Sequence, residues 1–179
     1  IIEHEEKAGK LLGEKLLVAY AYHWLIASMV KQDKDFTKLA ASKVESLYRK
    51  LPESWEIGIV SLMLPTTNNA NTYTRWTMLE KLYESGCRSA VIYYSGIKVL
   101  NENPMVAKKI DGFFIQTVYF GAKHRVVNNR CLEQVIALNQ RAKSFTYVHL
   151  HMLELLYRQY EDKRLLQELC AGYIVRNRS

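Results

Sequence analysis

A helix-forming stretch occurs twice in this chain, 74 residues apart. Thr72-Tyr73 precedes Met78-Leu79-Glu80-Lys81-Leu82-Tyr83, and Thr146-Tyr147 precedes Met152-Leu153-Glu154-Leu155-Leu156-Tyr157, with seven identities in register. Halfway between them, Phe113-Phe114-Ile115-Gln116-Thr117-Val118-Tyr119 repeats the pattern without the identities, and Val44-Glu45-Ser46-Leu47-Tyr48 echoes it upstream. Tyr48, Tyr83, Tyr119 and Tyr157 are thus spaced 35, 36 and 38 residues apart. A period of this length with two helices in each unit marks an α-helical repeat of tetratricopeptide size. One helix pair cannot cover its own apolar face, so neighbouring pairs stack and bury a continuous core. The tyrosine rings are expected to pack between repeats with their hydroxyls near water.

The rest of the chain reads the same way, with apolar residues at helical rather than alternating spacing. Residues 3–31 read as one long helix or two short ones, with Leu12, Leu16, Ala19, His23 and Ile26 at three-to-four spacing. Asp33 or Asp35 caps a helix over 36–50, and Pro52 ends it. A helix over 53–64 stops before Pro65, and the polar stretch from Thr66 to Asn71 reads as a turn. Helices follow at 71–85, 87–102, 105–124, 129–142, 145–160 and 162–176, with Gly86 as the left-handed residue between the first two. Breaks fall at Asn101-Glu102-Asn103-Pro104 and at Asn128-Asn129. Ser89 to Tyr94 is β-branched and aromatic, but it has no alternating partner run nearby and is kept as helix. Most connections are two to six residues long, which predicts antiparallel neighbours. The expected fold is all-α: a right-handed α-solenoid of about four antiparallel helix pairs plus an N-terminal helix, one repeat domain over 1–179.

The array is a degenerate relative of the tetratricopeptide repeat. The Trp, Leu-Gly and Ala positions of that pattern are missing from each unit. The period is also close to that of pentatricopeptide repeats, which bind single-stranded RNA, but their recognition code needs polar residues in a fixed helical register, and none is found.

Composition agrees with a packed helical protein. Hydrophobic residues make up 49% and charged residues 24%, enough apolar surface for a core, and the 8 glycines and 3 prolines are too few for a turn-rich β fold. The net charge of +7 is confined to one half: residues 1–85 hold 11 basic and 11 acidic side chains, residues 86–179 hold 14 and 7. Such a half either solubilises or meets an acidic partner, a nucleic acid, a membrane surface or an acidic protein.

Three widely spaced cysteines, Cys87, Cys131 and Cys170, form neither a disulfide framework nor a zinc ribbon and read as buried free thiols of a reducing compartment. The uncharged stretch from Leu16 to Val30, between Lys15 and Lys31, is short of the roughly 20 residues that cross a bilayer and reads as a buried helix. The first residue is Ile1, and the acidic residues Glu3, Glu5 and Glu6 do not fit a signal peptide. A fragment of a longer protein is the expectation.

No pattern for catalysis or for a cofactor is found. There is no phosphate-binding glycine loop, and His4-Glu5-Glu6 lacks a second histidine four residues on. His149 and His151, two apart, point to different sides of a helix, so joint metal binding is not expected and partly exposed packing is. Cys87 beside Arg88 would act as a nucleophile only with a spatial partner such as a histidine, which a sequence does not show. Glu80 and Glu154 hold equivalent repeat positions and read as structural contacts.

The strongest binding feature is a group of cations. Lys108, Lys109, Lys123, Arg125 and Arg130, with Arg141 and Lys143 beyond them, stand against only Asp111 and Glu133, with Tyr119 and His124 nearby. On one face of a repeat they would suit an acidic peptide or a nucleic acid.

Cys87-Arg88-Ser89-Ala90-Val91-Ile92-Tyr93-Tyr94, Leu100-Asn101-Glu102-Asn103-Pro104 and the closing Leu169-Cys170-Ala171-Gly172-Tyr173-Ile174-Val175-Arg176-Asn177 resemble the helical-repeat region of a family of large uncharacterised clostridial proteins. The resemblance covers residues 70–179, with Ala90 standing where that family has proline. It implies a cytoplasmic Firmicutes protein and a piece of a long array, and it carries over no activity. The expected function is a non-enzymatic protein–protein interaction or scaffold module, with a nucleic-acid-binding repeat as the alternative. If the chain is cut from an array, its end helices should expose apolar residues, Leu165, Leu166, Leu169 and Ile174 near the C-terminus among them.

Overall fold

In the computed structural model the described residues are 2–65 and 71–178, with side chains described except at 2–9, 11 and 12. All but Asn71 of the turn expected from Thr66 to Asn71, the His4-Glu5-Glu6 group and Leu12 therefore lie outside the described side chains. The helices are α1 (Ile2–Lys31), α2 (Lys34–Lys50), α3 (Trp55–Met63), α4 (Thr72–Glu84), α5 (Ala90–Glu102), α6 (Gly112–Lys123), α7 (Asn129–Asn139), α8 (Tyr147–Tyr160) and α9 (Lys163–Arg178), with a 3-10 turn at Pro104–Val106. Backbone contacts divide the chain into two compact units, residues 1–70 with 84–87, and residues 71–83 with 88–179.

Short polar side chains start the helices. Asp33, Ser54, Ser89, Asp111, Asn128 and Thr146 each accept a hydrogen bond from a backbone N–H in the first turn that follows, which satisfies a donor the helix itself cannot. Of the two aspartates expected to cap α2, Asp33 does so, at 2.7 Å from the Phe36 N–H. Gly86, at φ +101°, makes the left-handed turn before α5. The segment from Ser89 to Tyr94 is helical, because Ser89 caps it and Ile92 is fully buried.

In the first unit α1, α2 and α3 pack on one another. Ala21, Leu25, Ala40, Ala41, Val44, Ile57 and Val60 form its core. Alanine at the α1–α2 contact lets the two backbones approach closely, and the Ser28 hydroxyl donates to the Thr37 hydroxyl across it at 3.0 Å. The Trp24 and Phe36 rings close one end, 5.8 Å apart.

The second unit runs as three successive helix hairpins, α4/α5, α6/α7 and α8/α9, with α6 packed on α5 and α8, and α7 on the 3-10 turn, α5 and α9. Arg75 pairs with Glu102 at 2.8 Å, and Asn103 donates to the Thr72 hydroxyl, so the start of α4 meets the end of α5 and that pair is antiparallel. Gly172 abuts Leu150 while Arg176 donates to the Phe145 carbonyl, so α8 and α9 are antiparallel too. The first helices lie side by side: α6 packs along α8, where Gln159 and the Tyr160 hydroxyl donate to the carbonyls of Ala122 and Val127. The second helices do the same: α7 packs along α9, held by Arg164 on Glu133 at 2.7 Å. With α1 as the N-terminal helix and α2/α3 as the pair in the first unit, the chain has the all-α, tetratricopeptide-like pairs expected. Tyr83 rests against Phe113 of the next pair and Tyr119 against His151 of the one after, both half-buried as the repeat requires.

One junction departs from the expected pattern. The helix expected from 105 begins only at Gly112, because Asp111 is the cap and the prolyl 3-10 turn precedes it. The reason is geometric. Asn101 donates to the Val126 carbonyl at 2.6 Å and accepts two bonds from Asn128, from its backbone N–H and its side-chain amide, so α5 ends beside the turn that follows α6. Gly112, at the other end of α6, sits against the Tyr83 hydroxyl. Residues 103–111 must therefore run back the length of α6, about 18 Å at 1.5 Å per residue, and Gln134 holds that return strap through the Ala107 carbonyl.

Candidate interaction surfaces

The expected cations do not form one face. Lys108 and Lys109 lie on the return strap before α6, and Lys109 is paired with the capping carboxylate of Asp111 at 3.6 Å. Lys123 and Arg125 lie at the other end of α6, where Arg125 makes the left-handed turn at φ 57°. Arg130, in the first turn of α7, donates to the Glu102 carbonyl at 3.3 Å. Lys123, Arg125 and Arg130 thus follow the C-terminal end of α6, whereas Lys108 and Lys109 lie on the strap that leads to its N-terminal end. Arg141 and Lys143 are exposed in the α7–α8 connection. Tyr119 lies against His151, and His124 stacks on Phe120, so neither ring joins a basic stripe.

The remaining polar side chains tie helices together. Arg164 forks between Glu133 of α7 and Asp162 before α9, and its guanidinium holds both carboxyls below their usual range. Glu154 binds Arg158 and His151 on its own helix, a structural role as expected. His149 is not the partly exposed residue expected: it is fully buried, because its helix turns it against Phe145 and the Asn139 amide. Burial pushes its imidazole down to about 4. Of the thiols, Cys87 and Cys131 are buried as expected, but Cys170 is exposed, on the outer face of α9. Burial pushes the Cys131 thiol up to about 12, far from a nucleophile's range.

Among the described residues there is no group of three side chains able to hold a metal ion, and no helix is long and apolar enough to cross a membrane.

Two exposed apolar faces remain. On α1 the buried row Ala21, Leu25 and Ser28 faces its unit, while Leu16, Tyr20, Tyr22, Ile26, Met29 and Val30 are exposed around the opposite half of the helix, Val30 to 77%. A helix apolar all round is unusual unless something covers both sides. The expected buried helix is therefore only half buried. On α9 the exposed residues Leu166, Cys170, Tyr173 and Ile174 fall at i, i+4, i+7 and i+8, one stripe. Of the apolar end residues named from sequence, Leu166 and Ile174 are exposed, whereas Leu165 and Leu169 are buried. The sequence reasoning missed Cys170 and Tyr173, which the helical spacing from Leu166 identifies.

No curated protein and no solved structure matches the chain. The chain belongs to a family of unknown function, DUF5717, whose N-terminal model matches residues 1–179.

Proposed function

We propose that the chain is a non-enzymatic protein-interaction module, a helical scaffold piece that presents apolar helix faces to protein partners. The observation that carries the reading is the pair of exposed apolar faces on α1 and α9, since contiguous apolar patches on an otherwise charged surface mark contact sites. The polar side chains support it from the other side: the capping residues, the Arg164 fork and the two bonds from Asn128 to Asn101 are all spent on the fold. The family's description as an N-terminal region fits one portion of a larger helical array; the bacterial cytoplasm is the setting that the resemblance in sequence implies for this reading.

A salt series tests the choice of partner. Labelled single-stranded RNA, an acidic peptide and a neutral peptide are titrated with the protein from low to high ionic strength. Phosphate contacts release counterions, so RNA binding falls steeply with salt. No RNA binding beyond that of the acidic peptide is expected, because the cations lie in two separated groups. Tight RNA binding with a steep salt slope overturns the reading in favour of a nucleic-acid module.

A further inference from the structure

Helices α7 and α9 are equivalent elements of successive pairs. Aligned at their capping residues, Asn128 and Asp162, they show nearly the same burial at every position. Cys131, Val135 and Leu138 are buried, as are their counterparts Leu165, Leu169 and Gly172. Arg130, Glu133, Ala137 and Gln140 are exposed, as are Arg164, Gln167, Ala171 and Ile174. Through this stretch the two differ at three positions. Leu132, Ile136 and Asn139 are buried in α7, at 5%, 2% and 1% exposure. Their counterparts Leu166, Cys170 and Tyr173 are exposed. Those three positions form a single row along the helix. In α7 the row is covered because the α8/α9 pair packs beside it, with His149 of α8 on Asn139.

We propose that the outer row of α9 (Leu166, Cys170 and Tyr173, with Ile174 beside it) is the seat of a further helix pair of the same repeat kind, packed on α8/α9 as α8/α9 packs on α7. The inference rests on the interaction reading and names the partner of one of its faces. The row continues an interface the fold already contains, which distinguishes it from an apolar patch of no assigned use.

The substituted residues say what the incoming pair looks like. Where Asn139 meets a histidine, Tyr173 offers a ring, so the partner's first helix places an apolar or aromatic residue there. Where Glu133 takes Arg164, the counterpart Gln167 is uncharged, so the partner's second helix has no call for an arginine at its start. A free second copy fits less well. Four partly exposed side chains fall well short of the roughly 800 Å2 per partner that a stable dimer buries.

The test extends the full chain. After a flexible Gly/Ser linker it carries a second copy of residues 144–178 matched to the seat, with His149→Leu, Arg164→Gln and Cys170→Ala in the added copy, and alkylation of the original Cys170 is followed. Docking should slow the reaction about tenfold or more, as burial protects a site that only opening exposes. Leu166→Glu or Tyr173→Lys in the original α9 should restore the fast rate; both side chains are exposed, and circular dichroism confirms that each variant is folded. An unchanged rate in the extended chain overturns the proposal. So does protection in the unextended chain that grows with protein concentration, which makes a second copy the occupant. Either result leaves the RNA titration to judge the interaction reading separately.

Discussion

The imidazole of His149 is buried against the side-chain amide of Asn139, with Nε2 2.5 Å from Oδ1. The orientation of the amide is set by its other end, where Nδ2 donates to the Val135 carbonyl at 2.7 Å. Oδ1 is left to accept, so the proton of the neutral imidazole sits on Nε2. Phe145 stacks on the ring at 4.8 Å, and among the described residues no acidic group is placed to favour a charged imidazolium.

Stability should therefore fall in mild acid. The folded pKa is depressed to about 4 from 6.5, so the unfolded chain takes up a proton on this group at higher pH than the folded one. The contribution is fully present above about pH 6.5 and is lost as the pH falls toward 4, in all about 3 kcal/mol. Urea unfolding at pH 7 and pH 5 measures it. His149→Gln, which keeps a donor for Asn139, should flatten the difference between the two pH values.

Two glycines set how closely the helices approach. A Cβ at Gly172 would stand 2.6 Å from Leu150 and 2.8 Å from the Phe145 ring, and one at Gly121 would stand 2.7 Å from Ile97. Gly→Ala normally favours a helix, but here overpacking wins, and each substitution should cost about 1–3 kcal/mol. Thermal and urea unfolding of Gly172→Ala and Gly121→Ala check this, with Gly13→Ala, where the added methyl meets nothing, as the control expected not to destabilise.

The Arg164 fork is exposed, and its effect should be modest and electrostatic. Arg164→Ala should lower the melting temperature at low salt, with the difference shrinking in high salt as the charges are screened. Because both carboxyls are held below their usual range, that contribution is present above the ordinary carboxylate pKa and disappears as the pH falls through the lowered values. Arg164→Lys should recover little, since an ammonium cannot fork between two carboxylates. Melting curves across salt and pH read all three.

Thiol chemistry should separate the cysteines. Cys170 should react at once with a thiol reagent in the native protein, while Cys87 and Cys131 wait for unfolding. Counting fast and slow equivalents by absorbance, with Cys170→Ser as control, decides it.

The Thr117 hydroxyl is buried in α6 without a hydrogen-bond partner, beside Gly96. Thr117→Val keeps the shape and removes the unpaired group, and should raise stability by about 1 kcal/mol. Equilibrium unfolding in urea measures the gain, and a loss instead would mean that the hydroxyl is satisfied in solution.

Asp33, Pro52, Gly86 and Asn128 placed helix boundaries within a few residues, because a cap or a break depends on neighbours within one turn of chain. The 74-residue recurrence located the first helices of two pairs for the same kind of reason: the pattern that makes a helix amphipathic is local. The start of α6 at Gly112, rather than at 105, is not a local property, since the return strap answers to where α5 ends in space. The cations looked like one cluster along the chain, and the length of α6 divides them.

Sequence alone determined that this protein is a run of paired helices and where most of them begin, since backbone hydrogen bonding, capping and helical periodicity act over a few residues. Only the tertiary structure decided which faces those helices cover. His149 is sealed by Asn139 and Phe145, α1 leaves half its apolar surface outside, and α9 exposes the row that α7 buries. Burial is set by whatever packs beside a helix from elsewhere in the chain, and no local pattern carries that information.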